Sequence, residues 1–176
     1  MKTGLFIIST LILWTSCEKN PNFSTTPEIT FNSITQEVVF DPLTLVNTDS
    51  ITITLDFKDG DGDLGLNSGE SNTGKYVGIY AKNFYLTFFK KTNGVFKDIT
   101  FDGPVPLDYG GTFEKLAPTD EIAPIQGTLS NHLLLLQINN PDFISQHDTL
   151  RFEVYIYDRE LNRSNTITTS EIVFWQ

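Results

Sequence analysis

Short runs in which hydrophobic and polar residues alternate make up most of the chain. The stretch SITITLDFK places apolar side chains on one face and polar side chains on the other, and TLRFEVYIYD shows the same pattern nearer the C-terminus. A period of two residues is typical of a β-strand with one buried face, so both stretches are predicted to be strands. Their predicted inward residues are Ile51, Ile53, Leu55, Phe57, Leu150, Phe152, Val154 and Ile156.

Four further stretches extend this strand pattern: EITFNSITQEVVF, NFYLTFFKKTNGVFKDITF, GTLSNHLLLLQI and TITTSEIVFW. In the second of these, Asn93-Gly94 predicts the turn of a hairpin, and the unbroken apolar run of the third predicts a central strand. The connections are too short for helical crossovers, which favours antiparallel pairing. We therefore predict an all-β fold, an immunoglobulin-like antiparallel β-sandwich of about seven to eight strands.

One long segment, residues 102–127, interrupts the strand pattern and contains four prolines and four glycines. Long segments without secondary structure usually carry function or cover the edge of a sheet. The sequence leaves both interpretations open, a binding loop or an edge cover with a short strand near Phe113.

The N-terminus has the composition of an export signal. Lys2 precedes an apolar run over residues 4–14, which is too short to span a bilayer and fits the hydrophobic region of a signal peptide. Two small residues, Thr15 and Ser16, then precede Cys17, the only cysteine of the chain. This arrangement resembles the lipobox of bacterial lipoproteins. The resemblance implies that Cys17 carries lipid and becomes the first residue of the mature protein.

There are two alternatives. The protein could be secreted in soluble form with an incidental cysteine, or the apolar run could be retained as a transmembrane helix. A lone cysteine cannot form an internal disulfide, and lipid attachment gives it a direct use. The polar segment EKNPNFSTTPE that follows is typical of a tether. We predict a lipoprotein signal peptide over 1–16, a lipidated N-terminus and tether over 17–27, and a single β-sandwich domain over 28–176.

Acidic residues outnumber basic residues by 22 to 12, which gives the chain a formal net charge of −10. Removal of residues 1–16 would take away one lysine and no acidic residue, so the mature chain is more negative still. Because nucleic-acid phosphates would be repelled, no nucleic-acid partner is expected. The charge instead favours solubility and the attraction of cations.

The segment DGDGDLGLNSGE has nearly the ligand spacing of a calcium loop. Asp59, Asp61 and Asp63 would occupy positions 1, 3 and 5 of twelve, and Glu70 would occupy position 12. This resembles the EF-hand loop, but Leu64 stands at position 6, where a left-handed glycine is needed. The flanks are predicted strands, so only the ligand arrangement carries over. The alternative is an ordinary acidic turn, because aspartate and glycine are common in tight turns.

A second acidic segment, YIYDRELNRSN, follows the penultimate predicted strand and carries Asp158. In an immunoglobulin-like strand order, the loop after the second strand and the loop before the last strand lie at the same pole. The predicted ligands of a Ca²⁺ ion are then Asp59, Asp61, Asp63, Glu70 and Asp158. The competing interpretation is a network in which Arg159 or Arg163 neutralises the carboxylates without a metal.

The lipobox, the DGDGDLG loop and the segment YDRELNRSNTITT together resemble a set of small Bacteroidota-type outer-membrane lipoproteins of unknown function with an immunoglobulin-like domain. The resemblance covers only these three segments. It implies a single-domain lipoprotein anchored at the outer membrane or cell surface. It implies neither an activity nor catalytic residues.

Motifs for catalysis are scarce. The sequence contains no glycine-rich phosphate loop, no paired-cysteine metal site and no G-x-S-x-G. His132 and His147 lack partners at the spacing of a zinc site or a catalytic triad. We therefore predict that the protein is not an enzyme and has no catalytic residues. A small hydrolase that uses a carboxylate pair is the alternative.

Aromatic residues provide one further candidate site. If Phe84, Leu86 and Phe88 point inward, then Tyr85 and Phe89 point outward, where their rings could stack on sugars or pack across strands. The leading prediction is a lipid-anchored module of the cell envelope that binds or scaffolds without catalysis and is stabilised by calcium. The alternative is a carbohydrate-binding lipoprotein of a glycan-uptake system. The expected partners are a membrane, reached through the lipid, and a glycan or an envelope protein.

Overall fold

The structure is a computed structural model, and it describes residues 21–43, 45–102, 107–117, 121–137 and 143–175. Eight strands and one short 3₁₀ turn account for the regular structure of these residues. They are β1 (Glu28–Asp41), β2 (Val46–Asp59), the 3₁₀ turn (Gly78–Tyr80), β3 (Phe84–Thr92), β4 (Val95–Asp98), β5 (Ile125–Leu136), β6 (Thr149–Ile156), β7 (Ile167–Thr168) and β8 (Ile172–Val173).

The strands form two antiparallel sheets. One sheet has the order β1-β2-β5, and the other has the order β4-β3-β6-β7, with β8 also pairing with β6. These orders match an immunoglobulin-like sandwich, with β1-β2-β5 in the place of strands A, B and E and β3-β6-β7 in the place of strands C, F and G. The predicted fold class is confirmed.

The core lies between the two sheets and is built by the predicted alternation. Ile51, Ile53 and Leu55 of β2 and Phe152 of β6 are fully buried, while their sequence neighbours point away from the core. Phe152 meets Phe88 edge-to-face, with the ring centroids 4.9 Å apart. Because both sheets bury one face only, the chain needs strands with a strict period of two, and the sequence supplies them.

The predicted hairpin is present between β3 and β4. Asn93 and Gly94 both have positive φ, 51° and 80°, as a two-residue turn of type I′ requires. Thr92 and Val95 form the first pair of the ladder on either side of this turn.

The prediction of a central strand for GTLSNHLLLLQI is wrong, because among the described strands β5 pairs with β2 alone and lies at the edge of the three-stranded sheet. Leu133 and Leu135 face the core, whereas Leu134 and Leu136 face outward and are 52% and 44% exposed. A run of four leucines predicts a strand that is buried on both faces, but only one face of β5 packs against the core.

The described part of residues 102–127 covers the side of the sandwich near the end of β2. Gly111 exchanges backbone hydrogen bonds with Phe84 at the start of β3, and Leu116 donates to the carbonyl of Leu64. The side chain of Leu107 is buried in the core. These contacts support the edge-cover interpretation of this segment.

The predicted signal peptide and the lipidation site Cys17 lie outside the described residues. Within the described ranges, no helix has the length and apolar character needed to cross a membrane. β1 begins at Glu28, where the domain is predicted to begin.

A fully buried carboxylate, Asp49 of β2, fastens the C-terminal end of the chain to the three-stranded sheet. It accepts hydrogen bonds from the side-chain amides of Gln36 and Gln137, at 2.8 and 2.6 Å, and from the backbone N–H of Trp175, at 2.7 Å. Three donors satisfy the carboxylate at a position where water is excluded.

Replacement of this carboxylate, Asp49→Ala, is expected to lower the free energy of unfolding by about 3 kcal/mol, because it leaves buried donors without an acceptor. Chemical denaturation measures the loss. The exposed Asp102→Ala variant is the control and should stay within about 0.5 kcal/mol of the wild type. Equal stabilities for the two variants would contradict this role for Asp49.

Candidate metal centre

Two acidic loops meet at one pole of the sandwich, as the immunoglobulin-like order predicts. Leu64, in the loop after β2, forms an antiparallel bridge with Asp158, which follows β6. The backbone N–H groups of Arg159 and Glu160 donate to the carbonyl and to the Oδ2 of Asp63, at 3.3 and 3.1 Å. The two loops are therefore one hydrogen-bonded unit.

The loop after β2 does not follow the path of an EF-hand loop. The left-handed conformations occur at Gly62 and Gly65, with φ of 73° and 93°, and not at Leu64. Gly65 also lies directly against the backbone of Glu114, where a side chain would not fit. Leu64 is fully buried in the core instead. The leucine at position 6, where an EF-hand loop has glycine, thus has a structural role, because Leu64 fastens the loop to the sandwich.

Carboxylates from both loops converge. One oxygen from each of Asp59, Asp63 and Asp158 lies within 4.8 Å of the others. Asp59 is 0% exposed and Asp158 is 2% exposed. Asp61 lies close enough to raise the pKa of all three carboxyls through its charge. We call Asp59, Asp61, Asp63 and Asp158 the aspartate cluster.

The hydrogen bonds of the cluster satisfy only part of its oxygens. Asp59 Oδ2 accepts from the backbone N–H of Asp63 at 3.0 Å, and Asp63 Oδ2 accepts from Glu160. The Oδ1 atoms of Asp59, Asp61 and Asp63 are buried and have no hydrogen-bond partner. A buried charged oxygen without a partner is costly, and coordination to a cation is one of the few arrangements that removes the cost.

Asp158 is held in place by a residue that sequence reasoning did not single out as part of the site. The backbone N–H and the side-chain amide of Asn162 donate to the two oxygens of Asp158 at 2.7 and 2.8 Å. The sequence does contain a pattern that could have identified Asn162. An aspartate is followed four residues later by an asparagine in a turn, where such side chains commonly bind the local backbone. Asn162 orients the carboxylate towards the cluster.

The predicted ligand Glu70 is bound by arginine instead. Arg159 makes a bidentate pair with Glu70, with its two terminal nitrogens 2.6 and 2.8 Å from the carboxylate oxygens. The hydrogen bond from Arg159 lowers the pKa of Glu70 to about 2. The structure does not bring this carboxylate into the cluster.

The other arginine of the predicted network is also engaged elsewhere. Arg163 lies over the ring of Tyr155, 3.9 Å from its centroid, and donates to the hydroxyl of Thr166 at 2.9 Å. The ion pairs of four lysines and of Arg159 go to acidic residues outside the aspartate cluster, and the Arg159 guanidinium interacts with the Asp63 carboxylate through the longer-range attraction of their charges. The geometry therefore does not support arginine as the direct counter-ion of these carboxylates.

Burial and mutual repulsion disfavour the charged form of the cluster. Burial, followed by the charges of Asp61 and Asp63, raises the pKa of Asp59 from 3.8 to about 7. Burial, followed by the charge of Asp158, raises the pKa of Asp63 to about 6. The pKa of Asp158 is also raised, chiefly by burial. Without a cation, the cluster holds protons near neutral pH.

The predicted aromatic site, Tyr85 and Phe89, lies on the outer face of the five-stranded sheet. The Tyr85 ring stacks on Tyr155 of the neighbouring strand, with centroids 4.9 Å apart and an interplanar angle of 2°. The guanidinium of Arg151 lies 5.5 Å from the Phe89 ring. The Tyr85 ring face that would stack on a sugar is thus used within the protein, and the geometry favours cross-strand packing.

Comparisons of the chain with protein-family models, with curated proteins and with solved structures found no match.

The raised carboxyl pKa values predict an unusual dependence of stability on pH in the absence of divalent cations. The folded protein holds protons that the unfolded chain releases between pH 3.8 and about 7, so stability falls as the pH rises through this window. At about 1.4 kcal/mol per pKa unit, the shift of Asp59 alone corresponds to roughly 4 kcal/mol.

We expect the melting temperature in chelator to be several degrees lower at pH 8 than at pH 5.5. The variant Asp59→Asn should flatten this dependence, and the exposed Asp102→Asn should keep it. A wild-type melting temperature that is constant or rises between these pH values would contradict the prediction.

Proposed function

We propose that the protein is a lipid-anchored β-sandwich of the cell envelope that acts as a non-enzymatic binding or structural module, with one pole stabilised by a calcium ion. The observation that carries the cation is the set of three buried carboxylate oxygens without partners, on Asp59, Asp61 and Asp63, beside the buried Asp158. These four residues would hold the ion.

The donor set favours calcium among common metals. The cluster offers only carboxylate oxygens, which suit hard cations, and it has no histidine or cysteine to favour zinc or copper. Ca²⁺ accepts six to eight oxygens in flexible geometry, so backbone carbonyls and water can complete the shell. A divalent cation would offset the repulsion that raises the carboxyl pKa values.

The position of the cluster favours a structural use of the cation. The carboxylates lie inside the junction of two loops, and Asp59 and Asp158 are almost fully buried, so substrates have little access to them. A cation at this point would fix the two loops relative to each other, as structural calcium does in other folds. A carboxylate pair that hydrolyses a substrate would instead need to line an open cleft.

The lipid anchor rests on the N-terminal sequence. The apolar run at residues 4–14 followed by Cys17 supports export and lipidation, and several acyl chains would hold the protein on a membrane firmly. The outer membrane or cell surface is the proposed location.

Millimolar Ca²⁺ is expected to raise the melting temperature of the protein relative to chelator. At a free concentration a hundredfold above the dissociation constant, the gain is about 2.7 kcal/mol. The variant Asp61→Asn should lose most of this gain, because it removes a charged ligand oxygen. Differential scanning calorimetry measures both effects.

Two matched variants separate cation binding from general charge effects. Glu70→Gln breaks the pair with Arg159 and should lower stability equally with and without calcium, while Asp102→Asn removes an exposed charge and should change neither. Identical wild-type melting curves in calcium and in chelator would refute the cation site.

The anchor is tested by Cys17→Ser, which removes the acceptor of the lipid. We expect the variant to leave the membrane fraction and to lack incorporation of a labelled fatty acid, which the wild type shows. Membrane association of Cys17→Ser at the wild-type level would refute the anchor.

A further inference from the structure

The chain segment that leads to the predicted anchor lies directly on the acidic loop. The backbone N–H of Gly60, between Asp59 and Asp61, donates to the carbonyl of Ser24 at 2.8 Å. A Cβ atom on Gly60 would stand 2.5 Å from the carbonyl oxygen of Phe23 and 2.8 Å from the backbone of Ser24. Only glycine therefore permits this approach, which we call the tether contact.

Neighbouring contacts place the segment in the same position. The ammonium of Lys58 lies 5.8 Å from the centroid of the Phe23 ring, and the backbone N–H of Thr26 donates to Ser24 Oγ at 3.0 Å. Pro27 is buried, and Glu28 then pairs with Lys58 in the ladder between β1 and β2. Part of the predicted tether is thus docked on the domain.

We propose that a cation bound by the aspartate cluster controls the tether contact, and through it the distance between the domain and its anchor. This inference rests on the proposed function. Asp59 and Asp61 flank Gly60, so the repulsion of their carboxylates acts on the residue that holds Ser24. With the cation bound, the loop keeps the conformation in which Gly60 meets Ser24. Without it, the repulsion between the Asp59 and Asp61 carboxylates moves the backbone of Gly60, and the contact opens.

The tether contact limits the largest possible distance between the domain and Cys17. With the tether contact formed, a chain running from Cys17 to Phe23 can span at most about 20 Å. With the contact open, the chain from Cys17 up to Pro27 can span at most about 35 Å. Calcium would therefore hold the domain close to the membrane, and its loss would let the domain move away.

Thermodynamic linkage makes the coupling reciprocal. If calcium favours the tether contact, then the contact favours calcium by the same factor. A variant that breaks the contact without changing a carboxylate must therefore weaken calcium binding. Gly60→Ala is such a variant, because its added methyl group clashes only with the Phe23–Ser24 backbone among the atoms nearest to it.

Limited proteolysis with chymotrypsin tests the proposal on the full-length lipoprotein in detergent. The bond after Phe23 is a chymotrypsin site, and mass spectrometry identifies the fragment cut there. We expect calcium to slow this cleavage of the wild type by about tenfold or more relative to chelator. In Gly60→Ala, cleavage should be fast in both conditions, and calcium should bind several-fold more weakly.

Gly111→Ala is the matched control, because the space around Gly111 is open and its φ is not positive. It should behave as the wild type in both measurements. Melting curves of every variant, with and without calcium, confirm folding and report cation binding separately.

The outcomes distinguish this inference from the proposed function. If calcium raises the melting temperature but cleavage after Phe23 is the same with and without it, the tether coupling is wrong and the cation site stands. Calcium-dependent protection that persists in Gly60→Ala would also overturn the coupling. If calcium changes neither melting nor cleavage of the wild type, both proposals fail.

Discussion

Carboxylates from two loops repel one another at one pole of the sandwich, and the structure around them must withstand this repulsion. The ends of β2 and β6 bring Asp59, Asp63 and Asp158 together, and the hydrophobic sandwich leaves them no freedom to separate. Core burial of Leu64 and its bridge to Asp158 hold the loops in place against this repulsion. The fold therefore concentrates acidic groups at one point, where a cation can replace the protons that they otherwise hold.

Basic and polar side chains around the pole have different roles. Arg159 neutralises Glu70, so this carboxylate does not add to the repulsion within the aspartate cluster. Asn162 orients Asp158. Asp59 and Asp63 each accept a hydrogen bond from a backbone N–H group, and the Oδ1 atoms of Asp59, Asp61 and Asp63 have no hydrogen-bond partner. The same loop also supports the chain that leads to the N-terminus, through Gly60, so the electrostatic state of the pole and the position of the tether share one structural element.

Sequence reasoning predicted the strands and the pole correctly and the role of single side chains less well. The period of two in β2 and β6 identified their buried faces, and the immunoglobulin-like order predicted that the two acidic loops meet. Glu70 had the right spacing for a ligand, but spacing carries no information about Arg159, which lies far away in sequence and binds Glu70. The run of leucines in β5 likewise suggested a central strand, because local hydrophobicity does not reveal which strands have two neighbours.

The all-β class, the hairpin at Asn93-Gly94 and the acidic character of two loops can be read from the amino-acid sequence alone, because they follow from local periodicity, turn chemistry and charge. The packing of the folded chain sets which carboxylates share a site, pairs Glu70 with Arg159 outside that site, and places Ser24 against Gly60. These are contacts between residues distant along the chain, such as Glu70 and Arg159, which are 89 positions apart. Such contacts depend on how the two sheets pack, and no local pattern contains that information.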